Sequence, residues 1–205
     1  MKFVTILLTG LLLSPVFSFG TKDKTISNLT AAYRGELAAL TQYTAFADKA
    51  TKEGYPEIAL MFTAIAKAES IHAGNHKRVL ALYGVEVQPY KPEITVSTTA
   101  ENLKEAAAEE NHDFSVLYPG FIRTAQYEDA KEAVESLTWA MMTEAKHNQI
   151  FNAALITMQS KHLENLSKVY YVCAKCGNTF DTPTPDQHCP FCDATKDQYF
   201  RFPKK

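Results

Sequence analysis

Between Ser27 and Gln159 apolar residues recur at steps of three and four, the spacing that puts one stripe of a helix against a core. Glycine and proline interrupt the pattern at Gly54-Tyr55-Pro56, across Gly84 to Pro92 and at Pro119-Gly120, so breaks are predicted there. Four long helical segments remain, which predicts a mainly α fold built on a four-helix bundle. Beyond residue 165 the helical period is lost and the last forty residues become rich in cysteine, aromatic and turn residues. A small second domain, with a metal in place of a large core, is predicted over 168–205.

The apolar stripes carry charges where charges are expensive. The first segment reads Leu29, Tyr33, Glu36, Leu40, Tyr43 and the second Ile58, Phe62, Ile65, Glu69, His72. The third reads Leu103, Ala107, Glu110, Asp113, Leu117 and the fourth Leu137, Met141, Glu144, His147, Phe151. Glu69-x-x-His72 and Glu144-x-x-His147 each place both side chains on one helical face. The two halves also repeat: Asn28-Leu29 through Glu36 matches Asn102-Leu103 through Glu110 at an offset of 74, and Glu69 and His72 match Glu144 and His147 at 75.

A single helix-face Glu is usually solvated, and a single His usually packs or hydrogen-bonds. The joint pattern is different. One Glu from each of two helices plus Glu-x-x-His from the other two is the ligand set of ferritin-like di-iron bundles. Converging carboxylates repel strongly at low dielectric unless cations neutralise them, and oxygen-rich sites with two His suit iron or manganese. The other histidines, His76, His112, His162 and His188, show no such pattern and read as surface or packing residues.

Cys173-x2-Cys176 and, twelve residues on, Cys189-Pro190-Phe191-Cys192 form two knuckles able to bring four thiolates to one tetrahedral point. Two disulfides are the alternative in an oxidising compartment. Zinc would make this a structural ribbon and iron a one-electron carrier, and spacing does not choose between them. Tyr170, Tyr171, Phe180, Phe191, Tyr199, Phe200 and Phe202 surround the knuckles.

Composition adds little except at the start. With 46% hydrophobic residues and a net charge of −2, the 205-residue chain has no basic field for nucleic acid. Met1 to Gly20 has one positive charge at Lys2, an apolar run Phe3 to Leu13 and small residues Ser18 and Gly20, the pattern of a secretory signal cleaved before Thr21. An exported, periplasmic protein without a membrane segment after cleavage is the expectation. An uncleaved N-terminal anchor is the alternative, although the run is short of a span and contains Gly10 and Pro15.

Tyr171-Val172-Cys173-Ala174-Lys175-Cys176-Gly177 and Cys189-Pro190-Phe191-Cys192-Asp193 resemble a rubredoxin domain in its rubrerythrin form. With the bundle first and the cysteine domain last, and with Ala100-Glu101-Asn102-Leu103 and Tyr118-Pro119, the resemblance to rubrerythrins extends over nearly the whole mature chain. After the signal peptide predicted over 1–20, it implies a ferritin-like di-iron bundle over 21–165 and a rubredoxin-like iron(Cys)4 domain over 168–205. It also implies a mononuclear iron at Cys173, Cys176, Cys189 and Cys192, for which zinc can substitute.

For the di-iron pair, the resemblance implies bridging by Glu69 and Glu144, with Glu36 terminal on one iron and Glu110 and His147 on the other. It implies that one iron moves between His72 and a carboxylate that is normally Glu. Here that residue is Asp113, one methylene shorter, so the helix turn shifts inward, a water bridges, or the oxidised ligation differs. Tyr43 and Tyr118 match positions that hydrogen-bond ligand carboxylates, though ordinary core tyrosines would look the same.

The implied activity is reduction of hydrogen peroxide to water, an oxidative-stress defence. Electrons would come from an external donor through the cysteine centre, in a head-to-tail homodimer where that centre of one subunit faces the di-iron site of the other. Two other classes fit the residues: a ferroxidase or iron-binding protein with a structural zinc ribbon, and a metal-binding module without turnover.

Overall fold

The computed structural model describes residues 22–204; the signal peptide expected over Met1–Gly20 and its expected cleavage point lie outside the described residues. Helix α1 (Asp23–Lys52) turns back through Gly54, whose φ of 82° supplies the left-handed backbone the turn needs, into α2 (Pro56–Leu82). A connection over 83–98 leads to α3 (Thr99–His112). Its start is fixed by a capping box: Thr98 Oγ1 accepts from the Glu101 N–H and the Glu101 carboxylate accepts from the Thr98 N–H.

The break expected at Pro119-Gly120 does not occur. Helix α3 runs into a π-helical turn, Asp113–Leu117, and straight on as α4 (Tyr118–Tyr127), with the Tyr118 N–H donating to the Asp113 carbonyl five residues back. Pro119 is tolerated because it follows a turn that has already shifted the hydrogen-bond register. The chain reverses only at Glu128-Asp129-Ala130, where Asp129 has a φ of 49°, and returns as α5 (Lys131–Gln159).

The π turn also accounts for the two offsets of the duplication. Before it Glu36 pairs with Glu110 at 74; after it Tyr43 pairs with Tyr118 at 75, as Glu69 does with Glu144. A π turn is one inserted residue absorbed inside a helix.

Two apolar clusters fill the bundle. Tyr43, Phe46, Phe62, Ile65 and Phe151 form one, and Leu29, Leu80, Ile122 and Leu137 the other. A fully buried side chain of this kind stabilises by about 1.5–3 kcal/mol, so the bundle has its own reasons to fold. The carboxylate-bearing positions fall between the two clusters in sequence on every rod.

After a 3-10 turn, Leu163–Asn165, the small domain forms an antiparallel sheet of β1 (Val169–Cys173), β2 (Thr179–Phe180) and β3 (Tyr199–Pro203) in the order β2-β1-β3. Its core is slight: Cys173, Cys176, Phe180, Cys189 and Ala194. Tyr170 and Val172 of β1 instead join the bundle's first cluster, packing the domain onto the bundle of its own chain.

Candidate metal centres

Two overlapping groups of buried ligand atoms meet in the bundle. Glu36, Glu69, His72 and Glu144 form one and Glu69, Glu110, Glu144 and His147 the other, each with ligand atoms within 4.8 Å of one another. Glu69 and Glu144 belong to both and divide their oxygens symmetrically. Glu69 Oε2 and Glu144 Oε1 lie 3.0 Å from His72 Nδ1, while Glu69 Oε1 and Glu144 Oε2 lie 3.1 and 2.8 Å from His147 Nδ1. Glu36 completes the His72 side and Glu110 the His147 side.

Several of these atoms have no protein partner. Glu69 Oε1, both Glu144 oxygens and His147 Nδ1 are buried without a hydrogen bond, although His147 Nδ1 sits at ion-pair distance from three carboxylates. Nitrogen and oxygen lone pairs converging without hydrogen-bond geometry are costly unless a cation lies between them. The residues therefore fit a pair of metal ions.

Electrostatics gives the same picture. Burial, helped by Glu144, pushes Glu69 up to about 7, and burial with Glu69 pushes Glu110 to about 7. Glu144 is raised too, chiefly by burial. His72 and His147 are held well above the usual imidazole range: burial opposes their charge, and the surrounding carboxylates overcome it. Glu36 alone falls below the carboxylate range, because His72 and His76 outweigh its burial. Without metal, the two imidazoles serve as the cations.

Tyr43 Oη donates to Glu110 at 2.8 Å, and Tyr118 Oη donates to Glu36. Each tyrosine thus crosses to the carboxylate of the opposite half and fixes its orientation. Asp113 lies outside both groups. It opens the π turn, half-buried, and borders a cavity of about 450 Å³ that also reaches Glu36, Glu69, Glu110 and Glu144. Burial and the neighbouring carboxylates push it up to about 8. Ala32, Gly35, Ala38 and Ala39 of α1 wall this cavity, and their small side chains leave it open.

In the small domain none of the four cysteines is in a disulfide. Cys173 and Cys192 sulfurs are 3.6 Å apart and Cys176 and Cys189 sulfurs 3.5 Å, far beyond a bonded pair. A tetrahedron with metal–sulfur bonds of about 2.3 Å has edges of roughly 3.8 Å, so the four thiolates fit a single ion.

Sequence spacing gave no sign of the contact between the two sites. His147 Nε2 lies 2.9 Å from Thr179 Oγ1, whose hydroxyl donates to the Gly177 carbonyl at 3.2 Å. Thr179 is thus the acceptor and His147 Nε2 the donor, which leaves Nδ1 as the ring atom able to give up its proton and ligate a metal. Beside it Gly177, φ 83°, lies so close to His72 that a Cβ would run into the imidazole. Asn178 links the two knots, its amide donating to Cys189 Sγ at 3.5 Å and its oxygen accepting from Lys146 Nζ at 2.7 Å. The place that the resemblance gives to a partner subunit's cysteine centre is held here by the chain's own. His76, read as surface or packing, is fully buried and aimed at Tyr118.

A rubrerythrin family model matches residues 27–155. The chain is 34% identical to a rubrerythrin of Porphyromonas gingivalis over 171 residues, covering 83% of this chain and 86% of that one. The chain belongs to the rubrerythrin family. Members of this family bind a di-iron centre, for which the carboxylate and histidine groups are present here beside a four-cysteine site. The chain is also 33% identical over 180 residues to nigerythrin of Nitratidesulfovibrio vulgaris, covering 85% of each. Among solved structures, fully reduced, all-ferrous nigerythrin superposes with a TM-score of 0.79 at 30% identity, covering 98% of this chain and 100% of that one. Like those rubrerythrin relatives, this chain is mostly helical with a small C-terminal sheet around clustered cysteines.

Proposed function

We propose that this chain is a peroxidase that reduces hydrogen peroxide to water, with electrons relayed singly through the cysteine centre. One observation carries the reading: the cysteine domain is docked on both histidines of the carboxylate site through Gly177 and Thr179. A structural ribbon would have no need of that contact. Solved nigerythrin states described as all-ferrous, mixed-valent and partially reduced make iron redox cycling the expectation for this chain too.

Two ferrous ions at Glu36, Glu69, His72, Glu110, Glu144 and His147 would supply two electrons at once and act as Lewis acids toward the O–O bond. The protein supplies the rest. Tyr43 and Tyr118 hold Glu110 and Glu36 in place, and Thr179 fixes the His147 tautomer. The alanine and glycine wall of α1 admits a small oxidant beside Asp113. The reaction balances as H2O2 plus two electrons and two protons giving two waters. The reductant is an external one-electron carrier.

Stopped-flow mixing of the fully reduced, iron-loaded protein with peroxide is the test. Rapid oxidation of both centres, faster than with oxygen, is the expected result; faster reaction with oxygen, or zinc in the native cysteine site, would overturn it.

We also propose export, on the strength of the Met1–Gly20 pattern, and pairing of chains into a homodimer in which each cysteine centre serves the carboxylate site of its own chain, in place of the head-to-tail exchange that the resemblance implies. No helix among the described residues is long and apolar enough to cross a membrane. N-terminal sequencing of the protein from its native host should begin at Thr21, and light scattering should give a dimer mass.

A further inference from the structure

The duplicated halves of the carboxylate site are not equal. Position 76, one helical turn past His72, is His; its duplicate in the second half, 75 residues on, is Phe151. Position 136 is Ser, and its duplicate 75 residues earlier is Met61. Phe151 packs edge-on against Tyr43 at 5.3 Å, and Met61 is fully buried, so Tyr43 meets Glu110 in an apolar setting. In the opposite half both of the matching positions are polar.

There, Ser136 Oγ lies 2.8 Å from His76 Nδ1, and His76 Nε2 faces Tyr118 Oη at 3.4 Å and Glu36 Oε1 at 3.7 Å. All four residues are buried. The donor directions are mutually consistent: the Ser136 hydroxyl donates to Nδ1, the Nε2–H points at the phenol oxygen, and the phenol donates to Glu36. A chain of aligned hydrogen bonds at low dielectric strengthens each of its members. Tyr43 ends on Glu110 with no such support behind it.

We propose that His76 is a positioning residue that, held by Ser136, fixes the Tyr118 hydroxyl on Glu36 and makes the two metal positions of the site inequivalent. The inference rests on reading Glu36 and Glu110 as ligands of two different ions. Its consequence is an ion beside Glu36 and His72 whose carboxylate is oriented by three linked donors, while its neighbour beside Glu110 and His147 relies on one. Outer partners of this kind typically change metal affinity by about 10–100-fold.

The opposite half supplies the test variant, because Phe151 and Met61 show what the fold accepts at these positions. His76→Phe/Ser136→Met in the full chain copies the apolar half onto the polar one. Anaerobic titration with ferrous ion, followed by Mössbauer spectroscopy, reads each position, since iron in thiolate ligation gives a separate signal. Wild type should show two different oxygen- and nitrogen-ligated ferrous signals. In the double variant one position should weaken about tenfold, the other should stay within about twofold, and the two signals should converge. His76→Gln, whose amide can still donate to Tyr118, should restore most of the difference. Unfolding of the metal-free double variant at or above the wild-type temperature shows that the fold is intact. Unchanged affinities and signals, or equal weakening at both positions, would overturn this role for His76 alone. Uptake of fewer than two such ions by wild type would overturn the di-iron reading and this inference with it.

Discussion

The bundle and the small domain each gather ligands around a point, yet they stand in opposite relations to their metal. The bundle has two apolar clusters, one on each side of its ligands, and would fold against the strain of buried carboxylates that metal relieves. The cysteine domain buries little except its own ligands, with Phe180 and Ala194 beside them. In one region metal corrects an electrostatic fault in a stable fold; in the other it replaces the core. A binding site can therefore be a burden on a scaffold or the scaffold itself.

Cys176→Ser cuts deepest into that contrast. Structural metal in a site of this size is worth about 10–16 kcal/mol of apparent folding free energy, so residues 169–204 should lose hydrogen-exchange protection while the bundle keeps its own. Simultaneous loss in both regions would erase the distinction. Glu144→Ala should do the reverse, leaving a folded chain that binds iron in the bundle at least about a hundredfold more weakly, read by metal titration.

pH sharpens the comparison further. Glu69 and Glu110, raised to about 7, and Asp113, raised to about 8, bind protons more tightly folded than unfolded. Their contribution is full below the ordinary carboxylate range and is lost as pH rises through those values. His72 and His147, also raised, act in the same direction at higher pH, and Glu36, lowered, opposes only under acid conditions. The metal-free bundle should melt at a lower temperature at pH 8 than at pH 5.5, and iron loading should flatten that slope, as calorimetry can show.

The smallest change addresses the join between the regions. Thr179→Ala removes one hydrogen bond to a ligand histidine, about 1 kcal/mol, and should slow re-reduction of the bundle site several-fold while its first oxidation by peroxide is little altered.

The two regions were also unequally legible. Cys173, Cys176, Cys189 and Cys192 stand close in sequence, so spacing alone brought them together. The bundle ligands are spread over more than a hundred residues and were readable only because a charge on an apolar stripe is improbable and the oddity occurs in duplicate. The π turn left a trace, since Tyr43 follows Glu36 by seven residues and Tyr118 follows Glu110 by eight, but Pro119-Gly120 reads locally as a helix break. Gly177, Thr179 and the His76–Ser136 pair left none. Each meets its partner from a distant element, and no local period records such meetings.

The cavity and the docked domain lie against different helices. Small molecules reach the carboxylates past Ala38 and Ala39 of α1, whereas Gly177 and Thr179 cover the histidines carried by α2 and α5. If the chain is the peroxidase proposed above, reducing power and oxidant arrive by separate doors, the first through close-packed protein and the second through the cavity beside Asp113. On that reading, electron supply and oxidant access depend on different helices, so a substitution can alter either one without the other.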